Sequence, residues 1–362
     1  MRSAVVSDLH LGDWMSVLQT PHARRVLIGE LESADQVVLL GDLLALREAP
    51  LPEVLERARP FLQELGEALR GRRIVIVPGN HDHQLAEPLL ERRRLDGGHR
   101  SLQLERSVEP GEPGLAGAVA GHLDGAEVAI AYPGLWLRPD VYATHGHYLD
   151  CHMTVPRQEC LLAALMQTAI GRLPEQAAAP GDYEAVLAPL YALAYSHAQA
   201  GSPNGGGRSA AARRRLTRES WRWLKDRRGG PQWAAAGAIA YGALATANRV
   251  GLRRFRADLS VAELGRAGLR AMAEVVRRLG AESDYVIFGH THRAGPLGDE
   301  PGWTLADGRR LVNTGSWVYS SGLIGDARAS PYWPGSCAVV DEAGPPELRG
   351  LLDELRPSPA RA

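Results

Sequence analysis

Five times along this chain a short apolar run stops at a cluster of aspartate, asparagine or histidine. Ala4–Val6 leads into S-D-L-H, which carries Asp8 and His10. Val37–Leu40 leads into G-D, with Asp42, and Ile74–Val77 leads into P-G-N-H-D, with Asn80, His81 and Asp82. Val141–Thr144 leads into H-G-H, with His145 and His147, and Tyr285–Phe288 into G-H-T-H, with His290 and His292. Short, valine- and isoleucine-rich runs suit strands buried on both faces. Between the first three runs the pattern changes to helical spacing, over roughly His22 to Glu32 and again from Val54 through Ala58, Phe61, Leu62 and Leu65 to Leu69. This β-α-β-α-β order predicts a mostly parallel, layered sheet. Each polar cluster then falls just past the C-terminal end of a strand, where open α/β sheets place their sites.

Further strands are predicted at Glu127–Ala131, Arg310–Asn313 and Cys337–Val340, and the Gly- and Pro-rich stretch Leu102–Gly125 reads as loop. Residues 151–280 are rich in Ala, Leu and Arg with helical periodicity, interrupted by S-P-N-G-G-G at Ser202–Gly207. They read as a helical cap inserted into a core formed by 1–150 and 281–350, with a frayed tail at 357–362.

The spacing within the clusters is suited to metal binding. Asp8 and His10, like His290 and His292, are two residues apart, so an extended backbone points both to one side. Glycines beside them (Gly41, Gly79, Gly146 and Gly289) allow tight turns. The donors are carboxylate, imidazole and amide oxygen without thiolate, a set that suits Mn, Fe, Zn or Co. Seven such groups are too many for one ion and fit two. Two divalent cations facing Asp8, Asp42 and a bridging hydroxide leave a positive residue of charge, which attracts phosphate. His83, His99, His122 and His197 read as surface residues, and Asn313 with the following T-G-S-W as a supporting turn.

D-x-H, G-D, G-N-H-D, H-G and G-H-x-H, in this order, resemble the calcineurin-like metallophosphoesterase family. The resemblance implies an α/β fold, a four-layer αββα metallophosphoesterase sandwich around a dinuclear centre, here with a helical insertion. Carried over residue by residue, it implies that Asp8, His10 and His292 bind one metal and Asn80, His145 and His290 the other, with Asp42 bridging. It makes His81 the proton donor, oriented by Asp82. The cofactors implied are two divalent metal ions, Mn2+ first, with Fe or Zn as alternatives. The chain departs from the family at G-D-L-L-A, where many members have a further Asp in place of Ala45. S-D-L-H-L-G with G-D-L-L is similar to the branch of UDP-2,3-diacylglucosamine pyrophosphatases, but that branch has H-G-D where this chain has H-G-H.

The expected activity is hydrolysis of a phosphoester or pyrophosphate bond in a phosphorylated substrate, lipid-linked or nucleotide-like. A nuclease acting through the cap is the alternative, and a non-catalytic scaffold on the same fold a third. The net charge of -1 hides a strong asymmetry: residues 208–256 hold 13 arginines and lysines against Glu219 and Asp226. Trp221, Trp223 and Trp233 lie in the same stretch. It reads as a solvated helical face, as a peripheral contact with anionic membrane, or as a nucleic-acid surface. Arg213, Arg214, Arg215 and Trp221, with His147 in the core, are the candidate substrate contacts. Cys151, Cys160 and Cys337 have neither disulfide nor metal spacing, and no run is long enough for a leader or a membrane span. These features suit a cytoplasmic protein.

Overall fold

A computed structural model describes residues 1–95, 101–111, 114–155, 158–200, 258, 260–327 and 329–357. The first half alternates β1 (Ser3–Val6), α1 (Pro21–Leu31), β2 (Gln36–Leu40), α2 (Leu51–Ala68), β3 (Arg73–Val77) and α3 (Glu87–Leu95). Then come β4 (Glu105–Val108), α4 (Leu115–His122), β5 (Glu127–Arg138) and β6 (Val141–Thr144). Two helices follow, α5 (Gln158–Ile170) and α6 (Pro180–Gln199), and later α7 (Val261–Leu279). The chain closes with β7 (Tyr285–Phe288), β8 (Arg310–Asn313), the short α8 (Ser321–Ile324), β9 (Ser336–Val340) and β10 (Glu347–Gly350). Helix starts are chemically marked: Thr20 Oγ1 accepts the Ala23 amide ahead of α1, and Ser260 Oγ accepts the Glu263 amide at 3.1 Å ahead of α7.

The strands form one hydrogen-bonded sheet in the order β10-β9-β1-β2-β3-β5-β6-β7-β8, with β4 also on β5. β1, β2, β3 and the start of β5 run parallel, as do β6, β7 and β8, while β9, β10, β4 and the β5–β6 pair are antiparallel. Alternation along the strands divides the core. Ala4, Val6, Val37, Leu39, Ile74 and Ile76 pack under α1, α2 and α4. Val286, Phe288 and Leu311 pack under α5, α6 and α7. The opposite faces meet each other, with Val5, Val38 and Val75 in one cluster with Val141, Ile287 and Val312. The sheet has therefore folded over, giving helix, sheet, sheet and helix from a single ladder.

β5 makes that fold. Its first residues pair with β3 from Glu127 to Ile130, and its last pair antiparallel with β6 from Gly134 to Arg138. At the crossing, a Cβ on Gly134 would collide with the Ala143 carbonyl and the Tyr142 ring, so only glycine lets the strands approach this closely. The sequence places a strand end at Ala131 because Pro133 and Gly134 look like a break, but here they are the bend.

One other expectation changes. Leu102–Gly125 is not all loop but contains β4 and α4. β4 is the polar run E-R-S-V on a sheet edge, and α4 is small and apolar all round, so neither carries a periodic signal. β10, E-L-R-G, lacks a periodic signal for the same reason. The stretch 208–256, with Arg213, Arg214, Arg215 and Trp221, lies outside the described residues, as do His99 and 358–362. Among the described residues no helix is long and apolar enough to cross a membrane. Cys151, Cys160 and Cys337 are buried and form no disulfide.

Gly134→Ala should force β5 and β6 apart and lower stability by about 1–3 kcal/mol. Thermal unfolding checks this; an unchanged melting temperature would show that the crossing has slack.

Candidate metal centre

The strand ends converge. Asp8 and His10 follow β1, Asp42 follows β2, Asn80 and His81 follow β3, His145 follows β6, and His290 and His292 follow β7. Three groups result, within each of which donor atoms lie within 4.8 Å of one another: Asp8, His10 and His292; His10, Asp42 and His81; Asp42, His145 and His290. Asp42 Oδ2 is 3.6 Å from His10 Nε2, 3.4 Å from His145 Nε2 and 4.0 Å from His81 Nε2.

The backbone is bent to achieve this. Asp8, His10, Asp42, His290 and His292 all have positive φ, between 45° and 64°. Among the described residues they are the only non-glycine residues that do. Each such conformation costs on the order of 1 kcal/mol or more and persists only where its surroundings over-determine it. The surroundings here are cross-strand hydrogen bonds: Asp8 N donates to Gly41 O at 3.0 Å and His10 N to Asp42 O at 2.8 Å. Asn313 Nδ2 donates to Gly289 O at 2.8 Å and holds the β7 loop. Gly79 is obligatory beside them, because a Cβ there would strike the Asp42 carboxylate and the His145 ring.

The donor atoms are arranged to receive a cation. His145 Nδ1 donates to Leu40 O at 3.0 Å, and His290 Nε2 faces Asp150 Oδ2 at 3.1 Å. The remaining nitrogens, His145 Nε2 and His290 Nδ1, stand 3.2 and 2.9 Å from Asn80 Oδ1. In the tautomers whose protons point outward, His145 Nε2 and His290 Nδ1 both turn a lone pair toward Asn80 Oδ1, an arrangement that a cation satisfies. On the other side Asp8 Oδ1 is 3.2 Å from His292 Nε2 and 3.9 Å from His10 Nε2. Yet Asp8 Oδ1 and His10 Nε2 are buried and make no hydrogen bond. Orphaned buried acceptors of this kind fit metal ligands.

In the metal-free protein, protons take the cation's place. Burial opposes charge on His145, but the Asp42 carboxylate outweighs it and lifts the imidazole to about 10. Burial would raise Asp8, but His292 and then His145 hold it at about 2. Burial and the neighbouring His81 press His10 down to about 4.

His81 sits at the rim with 19% of its side chain exposed, and Glu48 Oε1 lies 2.9 Å from its Nδ1. Burial opposes protonation of this ring, but Glu48 and Asp42 raise it to about 9. Asp82, expected to orient His81, instead accepts the Gly79 amide at 2.7 Å and the Leu44 amide at 3.2 Å. It ties the β2 and β3 loops together, while burial and Asp42 lift its carboxyl to about 6. The carboxylate beside the His81 ring is Glu48.

His147 is 1% exposed, with Nε2 3.3 Å from the Tyr132 hydroxyl, so it lies behind the cluster and away from solvent. His83 is not a surface residue: it is buried, and its Nε2 lies 2.8 Å from Glu184 Oε2. Tyr148 and Tyr132 hydroxyls also donate to Glu184, which anchors α6 beneath the site. Glu48, Asp150 and Glu184 were missed in the sequence. Only Asp150, three residues after His147, carried a signal, as a carboxylate next to a histidine motif.

A family model described as calcineurin-like phosphoesterase matches residues 1–198. No curated protein matches the chain.

Burial raises the Glu184 carboxyl, but His83, then His147 and the Tyr132 hydroxyl, hold it at about 2, below the usual 4.5. The stabilisation from this depressed group is complete above pH 4.5 and is lost as pH falls towards about 2. Glu184→Gln should therefore flatten the acid limb of the stability curve by about 3 kcal/mol. Melting temperature against pH for both proteins tests this, and parallel curves would refute it.

Proposed function

The chain belongs to the calcineurin-like phosphoesterase family, hydrolases of phosphoester bonds, and from that premise we propose a mechanism using two divalent cations. Asp8, His10 and His292 would hold one, Asn80, His145 and His290 the other, with Asp42 shared. The mixed imidazole, carboxylate and amide set is compatible with manganese, taken first here, and with iron or zinc as alternatives. When bound, the ions supply positive charge to the phosphoryl oxygens and make water a nucleophile at neutral pH. The observation that carries the reading is the convergence of His145 Nε2 and His290 Nδ1 within 3.2 Å of Asn80 Oδ1, with the Asp42 carboxylate 3.4 Å from His145 Nε2.

The protein's own groups do the rest. His81, partly exposed at the rim, gives a proton to the departing oxygen. Glu48, 2.9 Å from its other nitrogen, keeps the ring protonated and oriented. Asp82 fixes the loop that carries Asn80 and His81 through the Gly79 and Leu44 amides. Asp150 sets which nitrogen of His290 faces the cluster. The substrate is a phosphorylated compound, and the bond a phosphoester or a pyrophosphate.

Asp42→Ala should bind at least tenfold less manganese by calorimetry and lose hydrolysis of nitrophenyl phosphates, while its circular dichroism stays native. Full activity in this variant, or in excess chelator, sinks the proposal. His81→Ala should retain metal and lose about 10²-fold or more in kcat for poor leaving groups. For good leaving groups such as nitrophenolate the loss should be much smaller; equal losses across leaving groups would exclude His81 as the proton donor.

A further inference from the structure

The turn that leaves β8, N-T-G-S-W at 313–317, carries no candidate ligand, yet it is bonded to both strand ends that supply the Asp8 set. Asn313 Nδ2 donates to Gly289 O at 2.8 Å and to Thr291 Oγ1 at 3.0 Å, inside the G-H-T-H loop after β7. Asn313 Oδ1 accepts the Gly315 amide at 2.8 Å, which closes the turn on itself. Trp317 N donates to Asp8 O at 3.0 Å, after β1. The turn is buried throughout. Since β1 and β7 lie in different leaves of the sheet, it clasps the leaves together on the metal side.

Inside this clasp lies a row of hydroxyls. Thr314 Oγ1 stands 2.6 Å from Ser7 Oγ, and Ser7 Oγ donates to Asp8 Oδ2. The direction follows from the hydrogens present. The Asp8 carboxylate only accepts, so the single Ser7 hydrogen goes there, and Thr314 supplies the hydrogen of the 2.6 Å contact. The competing acceptors, Gly315 O for Ser7 at 3.2 Å and Phe288 O for Thr314 at 3.4 Å, are further away. Asp8 Oδ2 also accepts the His290 amide at 2.9 Å. Both donors thus fall on one oxygen, while Asp8 Oδ1 is buried, makes no hydrogen bond and lies 3.2 Å from His292 Nε2. A Cβ on Gly289 would strike Ser7 Oγ and Asp8 Oδ2, so this glycine leaves room for the row.

We propose that Ser7 and Thr314 are positioning residues for the cation of Asp8, His10 and His292: relayed from the turn after β8, their hydrogen bonds pin Asp8 Oδ2 and present Oδ1 alone as the ligand atom. The proposal rests on the two-cation reading above and adds two residues that touch no cation. A carboxylate whose second oxygen is held by two donors keeps its orientation and does not close both oxygens on the ion. Hydrogen bonds in a row polarise one another, so the Thr314 hydroxyl strengthens the Ser7–Asp8 bond from one step away. The His290 amide stays on Asp8 Oδ2 when either hydroxyl is removed, so the loss falls on the Asp8 ion and not on that of Asn80, His145 and His290.

The test titrates manganese into the metal-free full chain by calorimetry and follows the two binding steps, with His292→Ala marking the step that belongs to the Asp8 set. Ser7→Ala should weaken that step by about tenfold or more and leave the other unchanged. Thr314→Val, which keeps the shape and removes the hydroxyl, should weaken the same step by a smaller factor, and Thr314→Ser should restore wild-type affinity. Wild-type affinity in both Ser7→Ala and Thr314→Val overturns the proposal and leaves the two-cation reading standing. Equal weakening of both steps also overturns it, as does a Thr314→Ser protein no better than Thr314→Val, because a role in packing alone would act in those ways. If the wild-type chain shows fewer than two steps, the two-cation reading itself fails and this inference falls with it.

Discussion

The Asp42 carboxylate is the point on which the site closes. One oxygen stands within 4.0 Å of the imidazoles of His10, His81 and His145, and the other accepts the His81 amide at 2.8 Å. A carboxylate buried this deeply is tolerable only if positive charge or donors surround it. The surrounding groups come from distant parts of the chain, since β1 and β3 flank Asp42 in one half of the sheet and β6 brings His145 from the other. Folding the sheet over is what brings these groups around one carboxylate, and without that the burial of Asp42 would be uncompensated.

The same convergence explains where the backbone is strained. Strands that end at one point must turn sharply there, and the turning residues must also be donors to the cation. Asp and His tolerate the left-handed region better than branched residues do. Among the described residues the five non-glycine positions with positive φ are therefore all Asp or His, and all are candidate ligands. Glycine is used where a side chain would occupy the space of a neighbouring ligand, as Gly79 does beside Asp42. The buried carboxylates Asp82, Asp150 and Glu184 brace the loops and helices around them, each through hydrogen bonds to groups elsewhere in the chain.

What could be read from sequence was what is local in sequence. An apolar run followed by D-x-H or G-N-H-D fixes a strand and its terminal ligands within a few residues, so β1, β2, β3, β6 and β7 and the clusters behind them were legible. Partners across the fold were not. Glu184 meets His83 from 101 residues away, and His83 alone, one step past a motif, looks like a surface histidine. Glu48 gave no sign that it, and not Asp82, would lie beside the His81 ring, because loop glutamates are common and only the turn after β2 aims this one. Polar edge strands β4 and β10 lack alternation, and β5 hides its bend behind Pro133 and Gly134. The basic stretch 208–256 gave a strong compositional signal, but it lies outside the described residues.

β5 has a further consequence. It belongs to both leaves of the folded sheet, paired to β3 at one end and to β6 at the other. Asp8, His10, Asp42 and Asn80 hang from one leaf, and His145, His290 and His292 from the other. The separation between these two sets is thus set by the bend of a continuous peptide rather than by the packing of one surface on another. A covalent strand has little give, so the spacing of the ligands behaves like a fixed dimension of the scaffold. Surface loops and helices can vary around it while the gauge of the ligand cluster stays the same.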